Sequence, residues 1–300
     1  MIHARHTPLT AFVVGMVGIA LFSVMDAVMK GLVLAIGTYA TLLWRSFIGV
    51  GVAGGLFALN RPRRPSRATL KIHLTRGAVS TLMGVLFFWG LARVPLAQAI
   101  ALAFIAPLVA LVLAALMIGE RVARRTALAS LVAFAGVIVI FVGQAQADLG
   151  RDALLGSIAI LVSAVLYAFN IILMRRQSLA AGPAESAFFQ NATVSVLLLA
   201  ALPVLGTTVP AAEHWPWLVV ASLLSTASLL LLSWAYARAE ASYLAATEYT
   251  SFLWAMLLGW VIFAETVSLF TLAGAALIVA GCFLAARRPQ DVTPALEAAA

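Results

Sequence analysis

The sequence predicts an all-α membrane protein, with ten transmembrane helices in two inverted five-helix repeats. Three observations carry that expectation. Hydrophobic residues make up 64% of the 300-residue chain and charged residues only 10%, where a soluble domain carries roughly 25% charged; mean hydropathy is +1.07. The apolar runs have the length of membrane helices rather than barrel strands, and a backbone in lipid must satisfy its own polar groups. Finally, a segment recurs without a gap, Ala92–Gly136 matching Ala237–Gly281 at an offset of 145 residues, and a repeat is read before any single motif.

Helix 1 is expected over Thr10–Met29. It has about 20 apolar residues and no small-residue cleavage site, so it reads as a retained span and not a cleavable signal. Helices 2, 3 and 4 follow at Thr38–Leu59, Ile72–Ala92 and Leu96–Ile118, and helix 5 at Thr126–Gly143. The polar stretch GQAQADLGRD then divides the chain. Helices 6 to 10 are expected at Ala153–Met174, Glu185–Leu205, Trp217–Tyr236, Tyr243–Phe263 and Ser268–Ala286. The domain boundaries are therefore 1–147 for the first repeat and 148–288 for the second. Residues 289–300, with Pro294, are polar and read as a disordered cytoplasmic tail.

Matched charges strengthen the repeat, because the chain has so few. Arg93 pairs with Arg238 and Glu120 with Glu265, alongside Val122/Val267, Thr126/Thr271 and Gly136/Gly281. Five spans per half is odd, so the second copy enters upside down. Lys and Arg in loops set the orientation. Fifteen, including Arg61, Arg63, Arg64, Arg121, Arg124 and Arg238, fall on the side of the N-terminus, and Lys30, Arg93 and Arg151 on the other. Both termini are expected in the cytoplasm.

Composition also excludes functions. The net charge of +8 sits in loops, where headgroups and topology explain it better than nucleic acid does. Cys282 is the only cysteine, so an intrachain disulfide is impossible and thiol-pair or zinc chemistry is disfavoured. His3, His6, His73 and His214 form no ligand set, no HExxH occurs, and no phosphate-binding loop is present. No cofactor is expected.

Asp26, Arg45 and Glu248 are the ionisable residues placed inside spans, where a charge costs roughly 2.5–3.5 kcal/mol and faces a cavity or a partner. Asp26 and Arg45 fall at similar depth on adjacent helices, which leaves two readings: an ion pair fixing the packing, or a gate or anion site. Glu248 lies in EYTSFLW, next to Tyr249 and near Trp254. It reads either as a proton or amine site, or as a carboxylate hydrated near the interface. Tyr167, Asn170, Gln190 and Asn191 add polar groups on helices 6 and 7, as interhelical hydrogen bonds or as lining of a pathway. Gln98 and Tyr243 are repeat mates at opposite ends. Phe104 completes the candidate set. Trp89, Trp215, Trp217, Trp260 and Trp234 fit interfacial belts, while Trp44 and Trp254 are deeper and suit stacking on a ligand. Gly15, Gly18, Gly49, Gly51, Gly54 and Gly55 suit close helix packing. Glu120 and Glu265 suit the N-terminus of the helix that follows each, or a gate.

Several stretches also form a pattern: SVMDAVMKGL, LLWRS, HLTRG and PLAQAIALAFIAPLVALVLAALMIGERV in the first half, and EYTSFLWAMLLGWVIFAE in the second. With these the chain resembles the EamA-type branch of the drug/metabolite transporter superfamily, over nearly its whole length. The resemblance implies a ten-helix carrier in the cell inner membrane with a central pocket between inverted halves. Its cargo would be a small metabolite or drug-like solute. The expected function is secondary active transport by alternating access, coupled to protons or running by exchange, as a monomer or homodimer. The competing readings are a membrane-embedded enzyme or lipid-handling protein, and a non-transporting scaffold.

Overall fold

The computed structural model describes residues 8–59, 65–106, 108–110, 112–113, 124–146, 150–206, 209–236 and 247–286. Within them the fold is entirely helical: α1 Pro8–Ile36, α2 Thr38–Leu59, α3 Arg67–Leu91, α4 Leu96–Ala103, α5 Arg124–Gln146, α6 Gly150–Ala180, α7 Pro183–Leu205, α8 Trp215–Tyr236, α9 Thr250–Phe263 and α10 Leu269–Ala286. A short 3-10 turn, Ala212–His214, precedes α8. Six helical segments are long and apolar enough to cross a bilayer: Leu9–Ile36, Thr38–Leu59, Arg67–Leu91, Gly150–Met174, Pro183–Leu205 and Ala212–Leu232. Large apolar side chains face outward, among them Leu131, Val196, Trp260 and Val261, each about two-thirds exposed. Water would penalise that surface and lipid accepts it. The chain is a multi-pass membrane protein.

The ends of the helices follow from local chemistry. Gly37, at φ +80°, separates α1 from α2, a conformation that costs other residues a Cβ clash. Ser66 caps α3 by accepting from the Thr69 N–H at 3.1 Å, and Ser268 caps α10 by accepting from Thr271 at 3.0 Å. Two ends of the bundle are distinguished below. The Gly37 end carries the α1–α2 and α3–α4 turns. The Ser66 end carries Ser66 and the α6–α7 turn.

The 145-residue offset reaches well beyond the stretch that revealed it. α2 and α7 start at Thr38 and Pro183, and α5 and α10 at Arg124 and Leu269. Each helix of the pairs α2–α7, α4–α9 and α5–α10 packs against its own repeat mate. Three further pairs of contacts match across the repeat: α1–α8 with α3–α6, α2–α8 with α3–α7, and α1–α9 with α4–α6. Mates run antiparallel where their contacts fix direction. Tyr39 Oη bonds to Leu198 O at one end of α2–α7, and Phe57 stacks on Phe188 at the other.

Two crossings depend on backbone contact. A methyl group on Gly136 would strike the Gly274 carbonyl oxygen, and one on Gly274 would strike that of Gly136; Gly90 meets the Gly156 carbonyl in the same way. Gly136→Val should therefore force α5 off α10 and cost about 1–3 kcal/mol or more by overpacking, seen as a lower melting temperature in detergent. Gly84, whose surroundings are open within 4 Å, should tolerate alanine with little change. Of the glycines expected to pack closely, Gly18, Gly49 and Gly54 meet Leu232, Asn191 and Phe188, while Gly51 and Gly55 have open surroundings.

Three boundaries differ from expectation, and each matters for the site. α1 runs on to Ile36, so Lys30 is inside a helix and 3% exposed instead of in a loop. α3 begins at Arg67, which puts Lys71 on it and sets His73 and Arg76 more than a turn inside its start. α4 stops at Ala103 instead of continuing as one helix to Ile118. The termini, Glu120, Arg238, Tyr243 and the tail 289–300 lie outside the described residues.

Candidate functional site

The interior break is the first feature. Phe104 and Ile105 form a turn after α4, and Tyr249 caps the start of α9. These interruptions fall at the same repeat position, since Phe104 and Tyr249 are 145 apart. Their causes differ. In the first half the sequence offers Pro107, which has no N–H for the carbonyl four residues back. In the second half hydroxyls compete for the backbone: Thr250 Oγ1 donates to Thr247 O and Ser251 Oγ to Glu248 O, both at 2.6 Å. The two breaks face each other. Phe104 and Tyr249 meet edge to face at 5.4 Å, Phe252 approaches Phe104 at 6.4 Å, and Glu248, half-buried, adjoins the break.

Around this point the expected polar residues divide into two groups. Asn170 is 4% exposed, and its Oδ1 accepts from Arg76 Nε and Ser80 Oγ, both at 3.3 Å. Tyr167, one turn earlier on α6, lies within electrostatic reach of both Arg76 and Glu248, and 42% of its surface is open. So Tyr167, Asn170 and Glu248 converge, and Arg76 joins them. Asp26 and Arg45 form the other group. Each lies in the other's field, yet among the described residues no ion pair joins them. Asp26 is 2% exposed, and its Oδ1, like Arg45 Nε, is buried without a hydrogen-bond partner. Gln190 Oε1 on α7 is in the same condition. Trp44 meets Trp215 at 5.3 Å, while Trp254 is half-buried on α9.

The Gly37 end is tied by charges that span both halves. Lys30 Nζ pairs with Glu265 and donates to Val94 O at 2.7 Å. The other Glu265 oxygen accepts from the Leu96 N–H at 2.7 Å. On the sequence alone Glu265 suits either a gate or the helix that follows it. That end is already capped by Ser268, and the carboxylate instead holds the N-terminus of α4, where the helix dipole favours negative charge. Nearby, Gln98 donates to Ser157 at 3.2 Å and Ser157 to Gln144 at 3.1 Å. A cavity of about 610 Å³ opens at this end, between Leu34, Tyr39, Val85, Trp89, Arg93 and Asp152. None of the candidate residues from the sequence lines it.

At the Ser66 end a network went unread in the sequence. It comprises His73, Arg76 and Ser80 of α3, Asn170 and Gln177 of α6, and Glu185 of α7. On the sequence alone Arg76 and His73 sit just inside the start of helix 3, where Arg76 counts among the cytoplasmic topogenic charges and His73 belongs to no ligand set. Their spacing held a signal: 73, 76 and 80 share one helical face, as do 170 and 177.

Comparison with known proteins places this geometry in context. The EamA-like transporter family matches residues 9–142 and again 154–287. A pseudopaline exporter of Pseudomonas aeruginosa is 28% identical over 271 residues, covering 89% of this chain and 92% of that protein. A riboflavin transporter of Rhizobium johnstonii is 28% identical over 238 residues, covering 75% and 74%. One crystal structure superposes with a TM-score of 0.60 at 21% identity, over 94% of this chain and all of that one, a likeness of fold alone.

Proposed function

The chain belongs to the EamA-like transporter family, and from that premise we propose that it is a secondary active transporter working by alternating access between two inverted five-helix halves. The family is one of transporters and not of enzymes. The single observation that carries the reading is the pair of helix breaks at Phe104 and Tyr249, repeat mates in contact beside Glu248. Discontinuous helices at the interface of two repeats are where carriers of this plan hold cargo and coupling ions. Antiparallel packing of mates against each other supports an axis lying in the membrane plane, which is the condition for inverted halves. In this reading all ten helices span the bilayer, both termini are cytoplasmic, the Gly37 end is outer, and the Lys30–Glu265 tie closes that side.

The cargo is a small polar organic metabolite. Two relatives of different cargo, a pseudopaline exporter and a riboflavin transporter, support that breadth. Arg76, Tyr167, Asn170, Tyr249 and Glu248 form one face of its site, with Asp26, Arg45 and Gln190 supplying unpartnered polar atoms. A thermal-shift screen of the purified protein against amino acids, nucleosides, riboflavin, other vitamins and organic cations tests this. A ligand at a hundredfold its dissociation constant should stabilise the protein by about 2.7 kcal/mol. That gain should vanish in Glu248→Gln if the site lies at the break. A hit that survives unchanged in Glu248→Gln, Tyr249→Ala and Asp26→Asn would place binding elsewhere.

A further inference from the structure

The network at the Ser66 end has one consistent set of hydrogen-bond directions. An arginine can only donate, so Gln177 Oε1, which faces Arg76 Nη1, accepts. The Gln177 amide nitrogen must then donate to His73 Nδ1, 2.5 Å away. With Nδ1 accepting, a neutral imidazole carries its proton on Nε2 and donates it to Glu185 Oε1 at 3.1 Å. His73 is fully buried, with its ring stacked on Phe189 at 4.6 Å, and among the described residues its hydrogen-bond partners are Gln177 and Glu185.

A proton added at Nδ1 breaks the arrangement. The new N–H opposes the Gln177 NH2, donor against donor. The amide relieves the clash by turning over and offering Oε1 to His73. Its NH2 then faces Arg76, and Arg76 loses its acceptor there while keeping Asn170 on the inner side.

The opposite seam of the repeat shows that packing alone does not require these groups. At the 145-residue offset, Leu218 stands for His73, Ala221 for Arg76, Leu32 for Gln177, Met25 for Asn170 and Ala40 for Glu185. All five are buried and apolar.

We propose that His73 is a proton-binding site whose occupation turns the Gln177 amide and frees the Arg76 guanidinium to bind an anionic group, a carboxylate or phosphate, of the cargo. Proton and anion then bind cooperatively, each raising the other's affinity by the same factor. Among the described side chains, the charged and titratable groups around His73 are Arg76 with the outlying Lys71 and Arg67 on α3, Arg176 and Tyr167 on α6, and Glu185 on α7. Glu248 acts electrostatically on Tyr167. The cargo half of this proposal rests on the transporter reading above, whereas the relay does not.

Nuclear magnetic resonance of 15N-histidine protein in nanodiscs tests the relay, titrated from about pH 5 to about pH 9, with the His73 signal assigned by His73→Asn. The neutral form should be the Nε2–H tautomer. Arg76→Leu should change the proton affinity of His73 by about tenfold. In a Gln177→Met background the same Arg76→Leu change should shift it far less. Equal shifts in both backgrounds would mean a through-space charge effect and no relay. An Nδ1–H tautomer, or a His73 that never titrates, would also overturn the proposal. Wild-type protein supplies a second readout should Gln177→Met not fold. Modification of Arg76 by phenylglyoxal, measured by mass spectrometry against exposed Arg67, should rise on acidification through the His73 midpoint. A constant or falling ratio contradicts the release of Arg76. Neither readout involves transport, so a failed relay and a failed carrier remain distinguishable.

Discussion

Glu265→Ala is expected to cost about 3–5 kcal/mol of stability, the usual penalty for removing one partner of a buried ion pair. Lys30 is 3% exposed and reaches no other carboxylate among the described residues. The substitution strands its ammonium and also uncaps the Leu96 N–H. Thermal unfolding in detergent should show the loss. Glu265→Gln keeps an acceptor for Leu96 and should fall between wild type and alanine. Replacing both partners by apolar residues, Lys30→Met with Glu265→Leu, should recover much of the loss, because the desolvation penalty goes with the charges. If the double variant is no better than Glu265→Ala, the capping of α4 and not the ion pair is what holds this end.

Asp26→Asn is expected to do the reverse. Its carboxylate is buried with one oxygen unpartnered, a state that destabilises the fold. An amide of the same shape removes the unpartnered acid and should leave the melting temperature unchanged or raise it. Transport should fall by roughly tenfold or more, about the 1.5–3 kcal/mol of one hydrogen bond to a charged group. Stability given up at a working site is the usual trade. A variant that melts lower but transports normally would mark Asp26 as a packing residue.

The scaffold was legible in the sequence because hydropathy and the repeat are local or periodic signals. The offset found between Ala92–Gly136 and Ala237–Gly281 carries through to the starts of α2 and α7. The break in α4 was hidden, since apolar residues continue on both sides of Phe104 and only Pro107 hints at it. The Lys30–Glu265 tie joins residues 235 positions apart, and no local pattern pairs them. Helix ends mattered most. Setting helix 1 to end at Met29 left Lys30 in a loop, and starting helix 3 at Ile72 made Arg76 look like one more topogenic charge. Hydropathy places such ends poorly where polar residues are buried by partners from other helices. Tyr167, Asn170 and Glu248 each stand out in the sequence, because a polar side chain in an apolar run is conspicuous wherever it sits, but nothing local groups Glu248 with the other two.

The central claim is that solute crosses the membrane through the break between the halves, and solute flux tests it most directly. Purified protein would be reconstituted into vesicles loaded with the metabolites that shift its melting temperature, and with riboflavin, and their loss over time compared with protein-free vesicles. The account predicts that at least one solute leaves the wild-type vesicles faster, and that Glu248→Gln and Asp26→Asn, both folded, slow it toward the protein-free rate. A solute that moves at the wild-type rate in both variants, or a folded protein that moves none of the solutes it binds, would contradict it.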